Sequence, residues 1–225
     1  MHIRAHATQS WPILYYGMMP RLKPCRLDPA TNKRRMLTPE KFSLGEPQIS
    51  SRGAKTCTLE CESERATFAL GSKTAPTTTP FGANTFNDED TARKNIEFRL
   101  TPEQDAEMHA FDDWAKDYLE QNSERLMKKK LSREQIEEHY RSPVRRQEGY
   151  APLLRAKINV GGKATVRCWN EEGLRSALPS DLTLYALVPR LQLSHLYIMG
   201  RDFGWVINCT DLMILDAAAE TECPF

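Results

Sequence analysis

Residues 152–169 have the sequence PLLRAKINVGGKATVRCW, and this stretch decides the predicted fold. On either side of residues 161–163, apolar and polar residues alternate with the period of two that is typical of a β-strand. A turn through residues 161–163 places Val160 opposite Ala164, which keeps the apolar residues of both strands on one side. The stretch therefore predicts an antiparallel hairpin with one apolar face and one polar face.

The polar face of this predicted hairpin combines positive charge with an aromatic ring. A single strand of nucleic acid exposes a phosphate backbone and unstacked base faces, so its receptor needs cations along a groove and flat side chains between them. The alternative is a solvated sheet face with no ligand. The candidate nucleic-acid-binding residues on this hairpin are Arg155, Lys157, Arg167 and Trp169, with Lys163 in the turn.

Two helices are predicted before the hairpin. Thr101, Pro102 and Gln104 have the order of an N-cap, a first helical residue and the partner of a capping box. Ser132 and Gln135 repeat the capping signature ahead of a shorter helix. The apolar positions of the first helix lie on one side at helical spacing, which indicates that it packs on the core.

Alternation of apolar and polar residues predicts further strands around residues 55–62, 67–70 and 96–100. It also predicts a pair of strands at about 183–199 and 203–215, joined by a turn at 200–202. Strands, then two helices, then strands favour a mainly β (α+β) fold over a parallel βαβ fold. We predict a β-barrel with a two-helix insertion at about residues 101–142. The last strand pair carries Tyr197, Phe203 and Trp205, which are candidates for base stacking or, alternatively, for the barrel core.

The charge of the chain is uneven along its length. The formal net charge is +1, yet residues 1–55 carry ten Lys/Arg against three Asp/Glu, and residues 125–167 carry twelve against four. A local basic surface is therefore available to a polyanion although the whole chain is almost neutral. Further candidate nucleic-acid-binding residues in the second basic segment are Lys128, Lys129, Lys130, Arg145 and Arg146.

The two ends of the chain differ from its middle. Residues 1–40 are basic and rich in proline, which predicts a disordered extension, with an organelle transit peptide as the alternative. Residues 41–215 are expected to form one β-barrel domain that includes the helical insertion, and residues 216–225 a short acidic tail.

Motifs for catalysis and metal binding are missing from the sequence. The six cysteines include no CxxC pair, the five histidines stand apart from one another, and no GxSxG, Walker or HExxH motif occurs. No apolar run approaches the ~20 residues of a membrane span. We therefore expect a non-enzymatic protein without metal, cofactor or membrane partner.

The order of short motifs from about residue 42 to residue 215 resembles the single-stranded-DNA-binding proteins of the phage gene 2.5 type, as found in large nucleocytoplasmic DNA viruses. The resemblance implies an OB-fold with a helical insertion that coats exposed DNA strands in replication, recombination or repair. It also implies a nuclear location or a virus-infected cell. The matching stretches are residues 53–55, 79–82, 129–132 followed by Tyr140, 150–157 and 196–205.

The last residues are similar to the acidic, Phe-ended tails by which single-strand-binding proteins recruit replication or repair partners and compete with DNA. Glu220, Glu222 and Phe225 are the corresponding residues here. Three alternatives stay open from the sequence: a single-stranded DNA binder without strong sequence preference, a single-stranded RNA binder, and a protein-interaction module on the same fold. Homodimer formation also stays open.

Overall fold

The structure is a computed structural model, and it describes residues 37, 41–49, 53–61, 66–85 and 91–216. The predicted extension at 1–40, apart from Leu37, and most of the predicted acidic tail lie outside these residues. Within them the chain forms two helices, α1 (Pro102–Met127) and α2 (Arg133–His139), and thirteen strands. The strands are β1 (Phe42–Leu44), β2 (Gln48–Ile49), β3 (Lys55–Cys61), β4 (Thr67–Ala69), β5 (Ala83–Asn84), β6 (Arg93–Arg99), β7 (Tyr140–Arg141), β8 (Val144–Arg145), β9 (Leu153–Asn159), β10 (Arg167–Trp169), β11 (Arg175–Ser176), β12 (Tyr185–Met199) and β13 (Asp202–Asp216).

One sheet contains all of these strands, with the main order β1-β3-β12-β13-β9-β6-β5. Its centre is the antiparallel hairpin of β12 and β13, each 15 residues long, and β3 and β9 flank it. The predicted mainly β fold with two helices is confirmed. The strand pairing within the described residues does not close the sheet, so the closed barrel stays a prediction.

Helix α1 begins where the sequence predicts. The backbone N–H of Gln104 donates to Thr101 Oγ1 at 3.3 Å, and the N–H of Thr101 donates to Gln104 Oε1 at 2.9 Å. These two hydrogen bonds satisfy donors that the first turn of a helix leaves free. Ser132 caps α2 in the same way. Neither of these two helices has the length and apolar character that crossing a membrane requires.

The buried side of α1 packs on one face of the sheet, which we call the inner face. Phe111 and Trp114 contact Trp205 of β13, with ring centroids 5.6 and 6.3 Å apart. Phe203 is also fully buried here. Trp205 and Phe203 therefore belong to the core, the alternative that the sequence left open for them, and are too deeply buried to stack on a base.

The predicted hairpin of residues 152–169 is also wrong. β9 and β10 do not pair with each other; both run parallel to β13, one after the other, so that Lys157 lies beside Asn208 and Arg167 beside Asp211. The residues between them form a loop, closed by the Val166 N–H donating to the Asn159 carbonyl at 2.8 Å. An alternating pattern specifies which face a side chain occupies, but it does not specify the partner strand.

Candidate functional site

The face of the sheet opposite α1, here called the outer face, carries a row of polar side chains across its centre. Strand register places Asn95 of β6 beside Lys157 of β9, Lys157 beside Asn208 of β13, and Asn208 beside Gln192 of β12. Adjacent strands lie about 4.8 Å apart, so this row spans roughly 14 Å. The row forms the middle of the candidate site.

Amide oxygens of this row bind two cations, Lys157 within the row and Arg93 beside it. The guanidinium of Arg93 donates from Nη2 to Asn208 Oδ1 at 3.3 Å, and Lys157 donates from Nζ to Asn95 Oδ1. Burial lowers the pKa of Lys157, and the nearby charge of Arg93 lowers it further. We call Arg93 and Lys157 the amide-held pair. An amide is neutral, and among the described residues no carboxylate lies within 4.0 Å of either cation to compensate its charge.

His195 of β12 lies near the same pair. It pairs in register with Val206 of β13 and with Thr58 of β3, and its Nδ1 lies 3.0 Å from Ser194 Oγ. Burial lowers the pKa of His195, and the charge of Arg93 lowers it too. The imidazole is therefore mostly neutral at pH 7, since the ordinary histidine pKa is only about 6.5.

The ring of Tyr197 lies across Gly204 on the neighbouring strand. A Cβ at Gly204 would meet Tyr197 Oη at 3.0 Å and Cε1 at 3.1 Å, and it would meet the Arg141 carbonyl oxygen at 2.6 Å. Only glycine allows both approaches. The ring is half-buried; its pKa is raised by burial and by Asp202, while Arg141 and Arg155 oppose the rise. An aromatic side chain thus lies flat on the outer face among arginines.

The arginines around Tyr197 are paired with carboxylates, unlike the amide-held pair. Arg155 Nε donates to Glu97 Oε1 at 3.0 Å, and Arg145 Nη1 lies 3.7 Å from the other oxygen of Glu97. Arg141 Nη2 donates to Asp202 Oδ1 at 2.7 Å. These pairs fix the guanidinium groups at the border of the site and neutralise much of their charge.

The far end of the outer face differs from the prediction. Trp169 was expected to be exposed among cations, but it is 6% exposed and packs on Met213 and Leu215. Its Nε1–H donates to Asp211 Oδ1 at 3.2 Å, and the Arg175 guanidinium covers the ring with Cζ 5.1 Å from its centroid. The expectation of exposure is wrong because the large apolar ring is stabilised by neighbours that remove it from water.

Arg167 shares the carboxylate of Asp211 with Trp169. Its Nη2 donates to Asp211 Oδ2 at 2.7 Å, and the hydroxyl of Thr210 donates to the same oxygen at 3.0 Å. Asp211 itself is buried. Arg167, Trp169 and Asp211 form what we call the Trp169 end, in which the positive charge and the indole N–H already have a partner.

The other predicted site residues are dispersed. Arg146 lies 2.8 Å from Asp105 and 3.6 Å from the buried Asp112, so it links α1 to the segment after β8. Lys163 is exposed in the loop between β9 and β10, and Lys128, Lys129 and Lys130 are exposed after α1. The tail residues Glu220, Glu222 and Phe225 lie outside the described residues. From the predicted set, the structure therefore brings together Arg155, Lys157 and Tyr197, with Arg145 at the border of the site beside Glu97.

Sequence reasoning missed Arg93, His195 and Asn208. Arg93 is the first residue of β6, in which the sequence pattern had identified Ile96 and Phe98 as buried. Because side chains alternate between the two faces of a strand, Arg93, three residues before Ile96, lies on the opposite face. This parity was the available signal for Arg93. No comparable signal marked His195, because a bulge between Leu193 and His195 shifts the register.

A metal-binding arrangement is not found in the part of the chain that the structure describes. No group of three or more His, Cys, Asp and Glu side chains is placed there so that it could hold an ion. Cations and amides are the chemically prominent groups of the outer face.

Neither a scan against protein-family models nor a search of curated proteins finds a match for this chain. Among solved structures, it is similar to gp2.5, a single-stranded DNA binding protein encoded by bacteriophage T7. The TM-score is 0.46 at 9% identity, over 72% of this chain and 92% of that one. A single-stranded DNA-binding protein from bacteriophage Enc34, in complex with ssDNA, gives a TM-score of 0.42 at 7% identity, over 80% and 96%. At these identities the likeness concerns the path of the backbone and identifies no binding residue in this chain.

Proposed function

We propose that this protein binds single-stranded DNA across the centre of its outer face, without strong sequence preference and without catalysing a reaction. This proposal is supported by the amide-held pair, two neighbouring cations whose hydrogen-bond partners within the described residues are neutral amides. A phosphate that enters this row gains a charge-assisted interaction without displacing a carboxylate. It also offsets the repulsion from Arg93, which adds to burial in lowering the pKa of Lys157.

Tyr197 supports a single strand as the ligand rather than a duplex. Its ring lies along the sheet, next to the cations, where an unstacked base can lie on it. A base within a duplex is already stacked on both sides and cannot reach a ring at the level of the sheet. Stacking on an aromatic side chain tolerates every base, because each base has a π-face. Binding is therefore expected to depend little on sequence.

The biological role that we propose is the coating of exposed DNA strands during replication, recombination or repair. The protein would hold the strand through its backbone and release it to enzymes that act on it. We assign the sheet to the OB class, because antiparallel strands dominate it and the helices occupy only its inner face. Recruitment of partners by Glu220, Glu222 and Phe225 is part of the same proposal.

Fluorescence anisotropy with labelled oligo-dT, oligo-U and a duplex of the same length, at two salt concentrations, tests the proposal. We expect tight binding to oligo-dT, much weaker binding to the duplex, and a steep fall in affinity with salt. The 2′-hydroxyl separates RNA from DNA, so equal binding of oligo-U would assign the face to RNA as well.

The double variant Arg93→Ala/Lys157→Ala connects this binding to the amide-held pair. Each phosphate contact to a single strand contributes about 0.7 to the slope of log K against log salt, so the double variant should lower the slope by about 1.4. Lys73→Ala is the control, because Lys73 is exposed and its Nζ contacts the Glu171 carbonyl, away from the outer-face row. An unchanged affinity and slope in the double variant would rule out this face as the DNA site.

A further inference from the structure

A second cation-rich region lies at the turn of the β12–β13 hairpin, next to the helices. It is a cleft of about 530 Å³ between the start of β3, the end of α1, α2 and the turn at Gly200 and Arg201. Its cationic groups are Lys55, Lys129 and Arg201. We call it the basic cleft. A volume of this size is within the range that small-molecule and cofactor sites occupy.

The three cations of the basic cleft come from three different elements. Lys55 begins β3, Lys129 follows α1, and Arg201 is in the turn between β12 and β13. Within the described residues, none of the three has a carboxylate within 4.0 Å. A lysine after the C-terminus of a helix is explained by the helix dipole alone, but this does not account for Lys55 and Arg201.

The cleft also contains one acidic group, Glu138. Its carboxylate lies 3.8 Å from His139 Nε2, and His139 Nδ1 lies 3.8 Å from Asp202. Glu138 is thus oriented toward the histidine side of the cleft. Three cations against one carboxylate leave the cleft positive, so a polyanion is the ligand that its electrostatics favour.

The basic cleft and the outer face meet at the end of the hairpin. Tyr197 and Gly204 lie on the outer face, while the adjacent residues Ile198 and Phe203 line the cleft. The two sites lie on opposite faces of the hairpin and come together at its turn, where Met199 is 64% exposed. A DNA strand that continues from Tyr197 along β12 would round the turn and reach Arg201.

We propose that the basic cleft binds the phosphate backbone of the same DNA strand where it continues beyond Tyr197. This inference rests on the proposed function, and it adds a second group of contacts to the strand. The outer face holds the first nucleotides of the site, and the cleft holds the next ones. A long strand contacts both groups, whereas a short strand contacts only the outer face.

The test compares the wild type, Lys129→Ala and Lys129→Ala/Arg201→Ala on oligo-dT of about 5 and about 14 nucleotides, near the limits of the footprints known for OB-folds. With the long strand we expect the salt slope to fall by about 0.7 in the single variant and about 1.4 in the double variant. With the short strand the slopes of all three proteins should agree. Lys129 and Arg201 are exposed, so their removal should not unfold the protein.

Lys73→Ala is again the control, because Lys73 lies outside the basic cleft and its removal changes the charge by the same amount as Lys129→Ala. The inference is overturned if the double variant behaves like Lys73→Ala on the long strand, or if it loses the same affinity on both lengths. In either case wild-type binding to oligo-dT would leave the proposed function standing. If the wild type binds neither length, the proposed function and this inference both fail.

Discussion

The centre of the outer face and its Trp169 end contain the same kinds of residue, but the partners of these residues differ. At the centre, Arg93 and Lys157 contact amides, and Tyr197 lies over a glycine. At the far end, Arg167 and the Trp169 indole share the buried carboxylate of Asp211. A cation or an aromatic ring on a sheet face is therefore available to a ligand only where no carboxylate or apolar neighbour of the same protein already occupies it.

The physical reason lies in the competition for each cation. A phosphate that approached Arg167 would have to displace a buried carboxylate, and a buried charge that loses its partner is strongly destabilising. A phosphate that approaches the amide-held pair replaces only a neutral acceptor. The centre is therefore the region where ligand binding has the smaller opposing cost, and the Trp169 end contributes to the stability of the long hairpin.

Trp169→Ala tests the structural role of the far end and has the largest expected effect. Removal of a buried tryptophan leaves a cavity and should lower the free energy of unfolding by about 3–5 kcal/mol. Urea denaturation followed by circular dichroism measures this loss. Under conditions in which the variant is still folded, its affinity for oligo-dT should match that of the wild type.

Trp169→Phe serves as the control for this variant. It keeps an apolar ring between Met213 and Leu215, and it removes the hydrogen bond from the indole to Asp211 and part of the buried ring. A smaller loss of stability is expected than with alanine. A folded Trp169→Ala protein that retained its stability and lost DNA binding would reverse the comparison and restore Trp169 as a base-stacking residue.

Tyr197→Leu tests the base-stacking role of the ring at the centre of the outer face. Leucine keeps an apolar side chain near Gly204 but removes the flat ring, so affinity for oligo-dT should fall by about 1–3 kcal/mol, roughly 5- to 150-fold. Anisotropy titrations measure the affinity, and urea denaturation of the same samples should show a smaller change in stability than Trp169→Ala gives. Equal affinity in the variant and the wild type would contradict the stacking role.

Much of this architecture was predictable from local sequence patterns. The capping boxes at Thr101 and Ser132 identify both helix starts, because they depend on residues three positions apart. The alternation around Ile96 and Phe98 identifies β6 and its buried side. The turn at residues 200–202 identifies the central hairpin. Each of these features is decided by residues close together in the chain.

The site was harder to predict because its contacts join distant residues. Arg93 and Asn208 are 115 residues apart, and Arg167 and Asp211 are 44 apart. The sequence around Arg167 does not reveal its carboxylate partner, Asp211, and the sequence around Lys157 does not reveal its neutral partner, Asn95. Parallel pairing of β9 and β10 with β13 determines these neighbours, and alternation alone does not reveal it.

His195 provides the smallest expected effect, which is a dependence on pH. Because burial and Arg93 lower its pKa in the folded protein, the unfolded chain binds a proton more readily. The stability that neutral His195 contributes is therefore complete above a pH of about 6.5 and is lost as the pH falls toward its folded pKa. A bound phosphate strand favours the charged imidazole, so the affinity for DNA should rise over the same range.

Titrations with oligo-dT and urea denaturation between about pH 8 and about pH 5 bracket the ordinary histidine pKa and measure both effects. His195→Gln should weaken the rise in affinity and the loss of stability at low pH, because glutamine binds no proton. His109→Gln is the matched control, since His109 is exposed on α1 and lies 3.9 Å from Asp105, away from the outer face. If both variants kept the wild-type pH profile of binding, His195 would not contact the bound DNA. The DNA would then have to lie on the β6 and β9 side of the amide-held pair.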